Sequence, residues 1–341
     1  MDNRDQDALH HSGGEMYKFE IAELSHQDFS QWDALVDRSA HGTVFHKSGW
    51  LETCSRSLGK KVKIFGCFQD RQLVGGCSLF LEKKWGLVSV ADSRCKMTPY
   101  GGFVISSPPG EGVHKQESFY RQIIGDLIHE INKNHFYFIS IRNSPGFFDI
   151  RPFTSRGWES RVLYTYYIDL GDNLESHADH LVKKNIHKAE KNHISTEPFA
   201  DISRYYTLLS ETYARKNLNP PCSKDLLTDL YTFIRNQNCG EMVVAKTPED
   251  EITCAEIIIQ DNHQAYIWSA ASASDNFGSP SLLRFEGLKR MQSKGVPKMN
   301  MMSGNVPELS QFTAHMNPTL VAYYQIQDSV INHILTGKNE D

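Results

Sequence analysis

Four stretches of this 341-residue chain combine residue types that do chemistry. The first is the run 272–281, which closes with Asn276-Phe277-Gly278-Ser279-Pro280-Ser281. A strand-like run precedes it and a helical pattern follows. Helix N-termini offer unpaired N–H groups and the positive end of the dipole, and both suit a phosphate. Gly278 permits a close backbone approach, Ser279 is placed to cap the helix, and Pro280 suits its first position. Asn276, Gly278, Ser279 and Ser281 are therefore candidates to hold the phosphates of a bound molecule, against the plainer reading of a strand-to-helix loop. The second stretch is basic. Lys184, Lys188 and Lys191 recur at i, i+4 and i+7 and share one helix face, with His187 at its edge. Such a stripe suits the phosphates of a nucleotide-linked or lipid-linked acceptor, or of a tRNA end. A solvated face paired with Glu190 is the plain alternative.

The third feature is Glu256, a carboxylate inside the apolar run 253–259. A charge there must be paired or functional. As a base it would take the proton of an acceptor ammonium, directly or through water. Strand alternation equally allows it to face solvent. Tyr266 and Trp268, on the next strand, would line the same cleft, although core packing suits Trp268 better. The fourth is Pro99-Tyr100-Gly101-Gly102, which lines a cleft or simply makes a turn. Lys47 is a further candidate to meet an anionic acceptor. His177, His180 and His187 fall on one predicted helix, but a spacing of i, i+3, i+10 does not close a metal site, so no metal is expected. No G-x-S-x-G nucleophile motif occurs.

The elements that must position these residues are readable from periodicity. Strands are expected at 17–23, 61–69, 72–82, 85–91, 135–142 and 161–170, then at 241–246, 251–260, 264–270, 299–301 and 319–327. Asp70-Arg71 makes a hairpin joint. Helices are expected through Trp32 and Leu35, through Trp50 and Cys54, and through Phe119, Ile123, Ile124, Leu127, Ile128 and Ile131. The second half adds helices at 174–192, 202–216, 224–236, 281–293 and 307–315. The two halves repeat one order: paired helices, a hairpin, a further strand, a helix, a short strand, a small helix and a last aromatic strand. The run 127–141 followed by 153–167 parallels 288–301 followed by 312–325. Hairpins need antiparallel neighbours and strand–helix–strand steps favour parallel ones, so the expected fold is α/β with mixed sheets. The expected domains are 16–170 and 171–330, between disordered tails at 1–15 and 331–341. An exposed last strand would make a homo-oligomer plausible.

Bulk composition narrows the classes. Hydrophobic residues make up 40% and charged residues 23%, which suits ordinary globular domains. The net charge of -5 argues against bulk nucleic-acid binding. Seven cysteines at wide spacings, without a C-x-x-C pair, argue against a disulfide framework and against zinc. The polar N-terminus lacks the apolar core of a signal peptide, and no apolar run approaches the ~20 residues of a membrane span. A reducing cytoplasm is the expected compartment.

Several segments resemble Fem-type aminoacyl transferases and their acyltransferase relatives in the GNAT superfamily. Residues 181–194, LVKKNIHKAEKNHI, resemble that family's K-x-R-N-I-R-K-A-E-K-x-G-I stretch. Val44-Phe45-His46-Lys47-Ser48-Gly49-Trp50 is similar to its F-Q-S-x-x-W segment, and Pro99-Tyr100-Gly101-Gly102 to its P-Y-G-G loop. Ser279-Pro280-Ser281-Leu282-Leu283 resembles S-P-x-x-L-L, and Val321-Ala322-Tyr323-Tyr324 the closing strand. The resemblance implies two tandem GNAT-like domains and transfer of an acyl or aminoacyl group to an amine. It implies that the 272–281 loop holds the donor's pyrophosphate, and it makes Asn300 a substrate-binding candidate. Phe312-Thr313 stands where bridge enzymes carry Phe-Lys, and Asn300 where relatives often carry Asp. The resemblance thus favours an acyl-CoA co-substrate and an amino acceptor on a small molecule, glycan or peptide precursor. Use of aminoacyl-tRNA is the second reading, and a non-catalytic GNAT-like binding protein the third. In GNAT chemistry the amine attacks the bound thioester directly, so no protein nucleophile is needed.

Overall fold

The computed structural model describes residues 17–329 apart from Glu111 and Asp172. The expected tails at 1–15 and 331–341 lie outside the described residues. The first half runs β1 (Glu20–Glu23), α1 (Phe29–Arg38), α2 (Ser48–Leu58), β2 (Lys61–Gln69), β3 (Gln72–Lys84), β4 (Val88–Asp92), β5 (Gly102–Ile105), α3 (Val113–Asn132), β6 (Phe138–Arg142), α4 (Arg151–Thr154) and β7 (Glu159–Asp169). The second runs α5 (His180–Lys191), β8 (Ser195–Phe199), α6 (Ile202–Ala214), α7 (Lys224–Asn236), β9 (Gly240–Lys246), β10 (Ile252–Gln260), β11 (Ala265–Ser272), α8 (Ser279–Ser293), β12 (Lys298–Asn300), α9 (Pro307–Ala314) and β13 (Thr319–Ser329). From β1 and from β8 onward the two halves follow the same order, with β5 extra in the first and α5 leading into the second.

All these strands join one mixed sheet in the order β1-β2-β3-β4-β6-β13-β7-β12-β11-β10-β9-β8, with β5 beside β3. Each half gives its last strand to the other. β7 pairs with β12 of the second half, and β13 pairs with β6 of the first. The two exchanged strands pair with each other from Thr319↔Tyr167 to Gln327↔Glu159. The last strand is therefore central, not exposed, and offers no edge to a second copy. The edges among the described strands are β1 and β8, and β8 carries Pro198, a residue that sheets tolerate at an edge.

The helices cover both faces. On one face α1, α2, α6 and α7 share a continuous core that includes Trp32, Trp50, Tyr205, Leu230 and Tyr266. The opposite face holds two cores. One packs Phe119, Ile123 and Leu127 of α3 on the first half, and the other packs Val182 of α5 and Leu283 and Leu288 of α8 on the second. The expected helix 174–192 is interrupted. Residues Leu174–His177 form a 3₁₀ turn, and Asp179 caps a new helix by accepting from the Val182 N–H. His177 thus leaves the helix that carries His180 and His187.

Candidate active site

The site begins where two parallel strands part. β11 and β12 pair only at Ala265↔Met299 and Tyr266↔Asn300. Beyond that point β11 has β10 as its one strand partner and runs on to Ser272, whose N–H and carbonyl bond to Thr212 of α6, while the Met301 N–H turns away to the Tyr166 carbonyl at 2.8 Å. A strand with one partner leaves half of its N–H and C=O groups free on the other side. β11 is also bulged. Ile257 faces Ser269 and Ile258 faces Ile267, so Trp268 has no opposite residue. A bulge twists a strand and re-aims its side chains and amides.

The first half has the matching divergence after β4 and β6, and there the chain fills it. The Gly101 N–H donates to the Arg142 carbonyl at 3.0 Å. A Cβ on Gly101 would lie 2.0 Å from the Ser93 carbonyl oxygen, so only glycine threads this gap. Gly102 adopts φ +87° beside it, and a Cβ there would meet Ile141 and Asn143. The first notch is therefore plugged by the Pro99-Tyr100-Gly101-Gly102 segment.

The second notch opens into a cavity of about 390 Å³ that passes between the helical layers. Arg94, Cys95, Met97, Thr98 and Pro99 of the first half form one wall, and Ile267, Trp268, Ser269 and Ala270 form the bulged edge of β11. Tyr213 of α6 bounds it on one face of the sheet, and Arg284 of α8 and Phe312 of α9 on the other. Trp268 ties the walls together, its indole N–H donating to the Met97 carbonyl at 2.8 Å. Thr98 gathers its neighbours: its hydroxyl accepts from the Trp50 indole at 2.9 Å and lies 3.2 Å from Cys95 Sγ and 3.5 Å from Cys54 Sγ. Hydrogen bonding from Cys54 and Thr98 holds the Cys95 thiol below the usual range, whereas burial pushes the Cys77 and Cys254 thiols up.

Under this cavity lies a buried ion pair. Arg284 donates from Nε to Glu256 Oε1 at 2.8 Å, and its Nη2 stands 2.7 Å from the same oxygen. Glu256 is 3% exposed and Arg284 6%. Glu256 Oε2 has no protein partner among the described residues. Arg284 also stacks over Phe312 at 5.6 Å. Glu256 is thus the paired carboxylate that its apolar run demanded, and the solvent-facing alternative does not hold. Its partner gives no signal in the sequence, because Arg284 is a single arginine in a helix of mixed character.

Other expected site residues lie elsewhere or are engaged. Tyr266 does not reach the cavity. It is fully buried, and its hydroxyl donates to Asp261 Oδ2 at 2.6 Å and accepts from Gln264 at 2.7 Å. Burial and the Asp261 charge push that phenol well above its ordinary range, which suits a structural strut and not an acid or base. Asn300 is saturated: its amide donates to the hydroxyls of Tyr100 and Tyr167, and its oxygen accepts from Thr165 and from the Met302 N–H. Tyr100 and Asn300 together fasten the two halves beneath the notch. Lys47 is drawn off by Asp37 at 2.6 Å and by the Asp33 carbonyl, beside a separate cavity of about 470 Å³.

The 272–281 loop also differs from expectation. Gly278, at φ +83°, is the helix cap, and Ser279 is already the first helical residue. The Ser279 hydroxyl turns inward to accept from Thr253 at 2.8 Å, and Ser281 lies within 3.4 Å of the Asn185 amide. Asn276 takes up the first N–H groups, its side chain accepting from Gly278 and its carbonyl from Ser279. A Cβ on Gly278 would stand 2.4 Å from the Asn185 carbonyl, so this glycine lets α5 pack against α8. Ser279 and Ser281 are therefore buried beneath the loop, their oxygens already accepting from Thr253 and Asn185. Lys184 and Lys188 are exposed on α5. Among the described residues no group of three or more His, Cys, Asp or Glu is gathered for a metal.

Neither a protein-family model nor a curated protein matches the sequence. Solved structures do match its shape. FemX superposes with a TM-score of 0.71 at 12% identity, over 93% of this chain and 99% of that one. The chain shares the fold of FemX. A tandem GNAT protein from the clavulanic acid biosynthesis pathway matches with a TM-score of 0.54 at 10% identity, over 91% and 98% of the two chains. L-PGS from Bacillus licheniformis gives 0.54 at 12%, over 92% and 96%. The mixed sheet is thus a shared architecture, and in this FemX-like fold the divergence of β11 from β12 is the opening left unfilled.

Proposed function

We propose that the protein is an N-acyltransferase that moves an acyl group from an acyl-CoA-type donor to the amino group of a small-molecule, glycan or peptide acceptor. One observation carries this reading: the open cavity at the parting of β11 and β12, edged by the bulged strand. Apolar side chains of Met97, Ile267, Trp268, Met301, Met302 and Phe312 suit a slender thioester arm. Free backbone N–H groups along the unpaired edge of β11 suit the oxygen that becomes negative when the amine attacks the carbonyl carbon. The C–N bond then forms, the C–S bond breaks, the thiolate leaves, and the nitrogen gives up a proton. Glu256 would receive that proton through water on its unpartnered oxygen, with Arg284 holding the carboxylate in place. The donor's phosphates would lie over the exposed lysines Lys184 and Lys188 of α5. The uncharged Thr313 at the cavity wall favours this donor over aminoacyl-tRNA.

Calorimetric titration with acetyl-CoA and coenzyme A tests the reading. Micromolar binding to the wild type, lost in Ala270→Trp, is expected, because Ala270 is an exposed residue of the cavity edge. No heat of binding at millimolar ligand would sink the acyl-CoA donor and turn attention to aminoacyl-tRNA.

A further inference from the structure

The β3–β4 hairpin ends in a tip that the fold itself does not explain. Trp85 and Leu87 are each 89% exposed, whereas Trp32, Trp50, Trp158 and Trp268 are all buried. β3 runs past the start of β2, whose Lys61 faces Leu81, so the last residues of β3 pair only with β4, as Lys83↔Ser89 and Lys84↔Val88. The Leu87 N–H closes the turn on the Lys84 carbonyl, with Trp85 at φ +50° and Gly86 at φ +74°. Two successive left-handed residues are the signature of a hairpin turn that prefers Asn-Gly. A bulky tryptophan at the first of these positions is strained and packs on no core, so its use is sought outside the chain.

The chemistry around it selects the partner. Lys83 and Lys84 are exposed beside the tip, and Glu82 is shared between Lys60 and Lys84, each at 2.6 Å. Two lysines thus share one glutamate, and Lys83 stands exposed beside them. Tyr137, 41% exposed, joins the same end of the sheet through its N–H to the Ser89 carbonyl. Exposed Trp and Tyr, an aliphatic side chain and flanking lysines match the headgroup region of an anionic bilayer. The tip is convex and only a few residues wide. A specific protein partner needs about 800 Å² per side, which such a tip does not present, whereas a bilayer accepts a narrow convex wedge. Among the described residues no helix is long and apolar enough to cross a membrane, so contact of this kind would be peripheral.

We propose that the protein docks reversibly on anionic lipid surfaces by inserting Trp85 and Leu87 into the headgroup layer, with Lys83 and Lys84 against lipid phosphates. This does not depend on the acyltransferase reading. The test is co-sedimentation of the full chain with phosphatidylcholine vesicles with and without phosphatidylglycerol, together with tryptophan emission. Binding to the mixed vesicles, a blue shift of the exposed tryptophan and weakening by salt are expected. Trp85→Asn with Leu87→Ser should lower the binding roughly tenfold or more. Asn suits the turn, so this variant should fold. Absence of sedimentation with the anionic vesicles would overturn the proposal, as would undiminished binding by the variant. Trp85-dependent self-association in lipid-free solution would overturn it too, by giving the tip to a second copy.

Discussion

Replacing Arg284 with Met separates what the Glu256–Arg284 pair does for stability from what it does for function. The guanidinium supplies both contacts to Glu256 Oε1, at 2.8 and 2.7 Å, and Glu256 is 3% exposed. Removing it strands a carboxylate in the interior with neither oxygen partnered, which costs about 3–5 kcal/mol. Glu256→Leu strands the guanidinium instead, at a similar cost, eased by its stacking on Phe312. Whole domains are stable by only about 5–15 kcal/mol, so either variant should unfold at much lower urea. The double variant Arg284→Met, Glu256→Leu removes both charges and fills similar volume. It should return to within about 1–2 kcal/mol of the wild type. Urea unfolding followed by circular dichroism gives all four corners of the cycle. Acetyl-CoA calorimetry on the stable double variant then asks whether the cavity still works, and weakened binding is expected. Single variants that cost less than about 1 kcal/mol, or a double variant no better than the singles, would refute the buried pair.

Three further outcomes follow. Burial pushes His41 and His46 down to about 4, so the folded protein resists protons that the unfolded chain accepts near 6.5. Their contribution is complete above that value and is lost as pH falls toward 4. Unfolding midpoints should reflect roughly 2 kcal/mol per histidine lost by pH 5, and an unchanged midpoint would contradict it. Gly101→Ala should cost about 3 kcal/mol by thermal or urea unfolding, because its Cβ would meet the Ser93 carbonyl at 2.0 Å. Cys95 should be the first thiol to react with iodoacetamide, and acetyl-CoA should protect it, as read by peptide mass spectrometry. Prior reaction at another cysteine would oppose that.

Much of the fold was legible because it is local. The apolar face of α3 at Phe119, Ile123, Ile124, Leu127, Ile128 and Ile131 lies buried as its spacing required. The order of elements in the two halves was readable for the same reason. The exchange of β7 and β13 was not, because it is a choice of long-range partners between strands of similar pattern. β8 carries no strand signal, because Ser195-Thr196-Glu197-Pro198-Phe199 is polar and contains proline, as an edge strand can. Within the site, Glu256 stood out as a charge in an apolar strand, while Arg284, Arg94 and Thr98 did not, since their roles arise only when distant segments meet. The cap shifted by one residue, from Ser279 to Gly278, because packing of α5 against α8 claimed the position. Tyr266 had the right strand but lies where β11 is still paired with Asn300 of β12, before the two strands part.

The most direct test of the account is hydrogen–deuterium exchange of the full chain with and without acetyl-CoA. The proposed donor site predicts slowed exchange at Trp268, Ser269 and Ala270 on the free edge of β11, and little change around Gly101 in the plugged notch of the first half. Protection confined to the first half, or none along β11 at saturating ligand, would contradict the placement of acyl transfer in the β11–β12 notch.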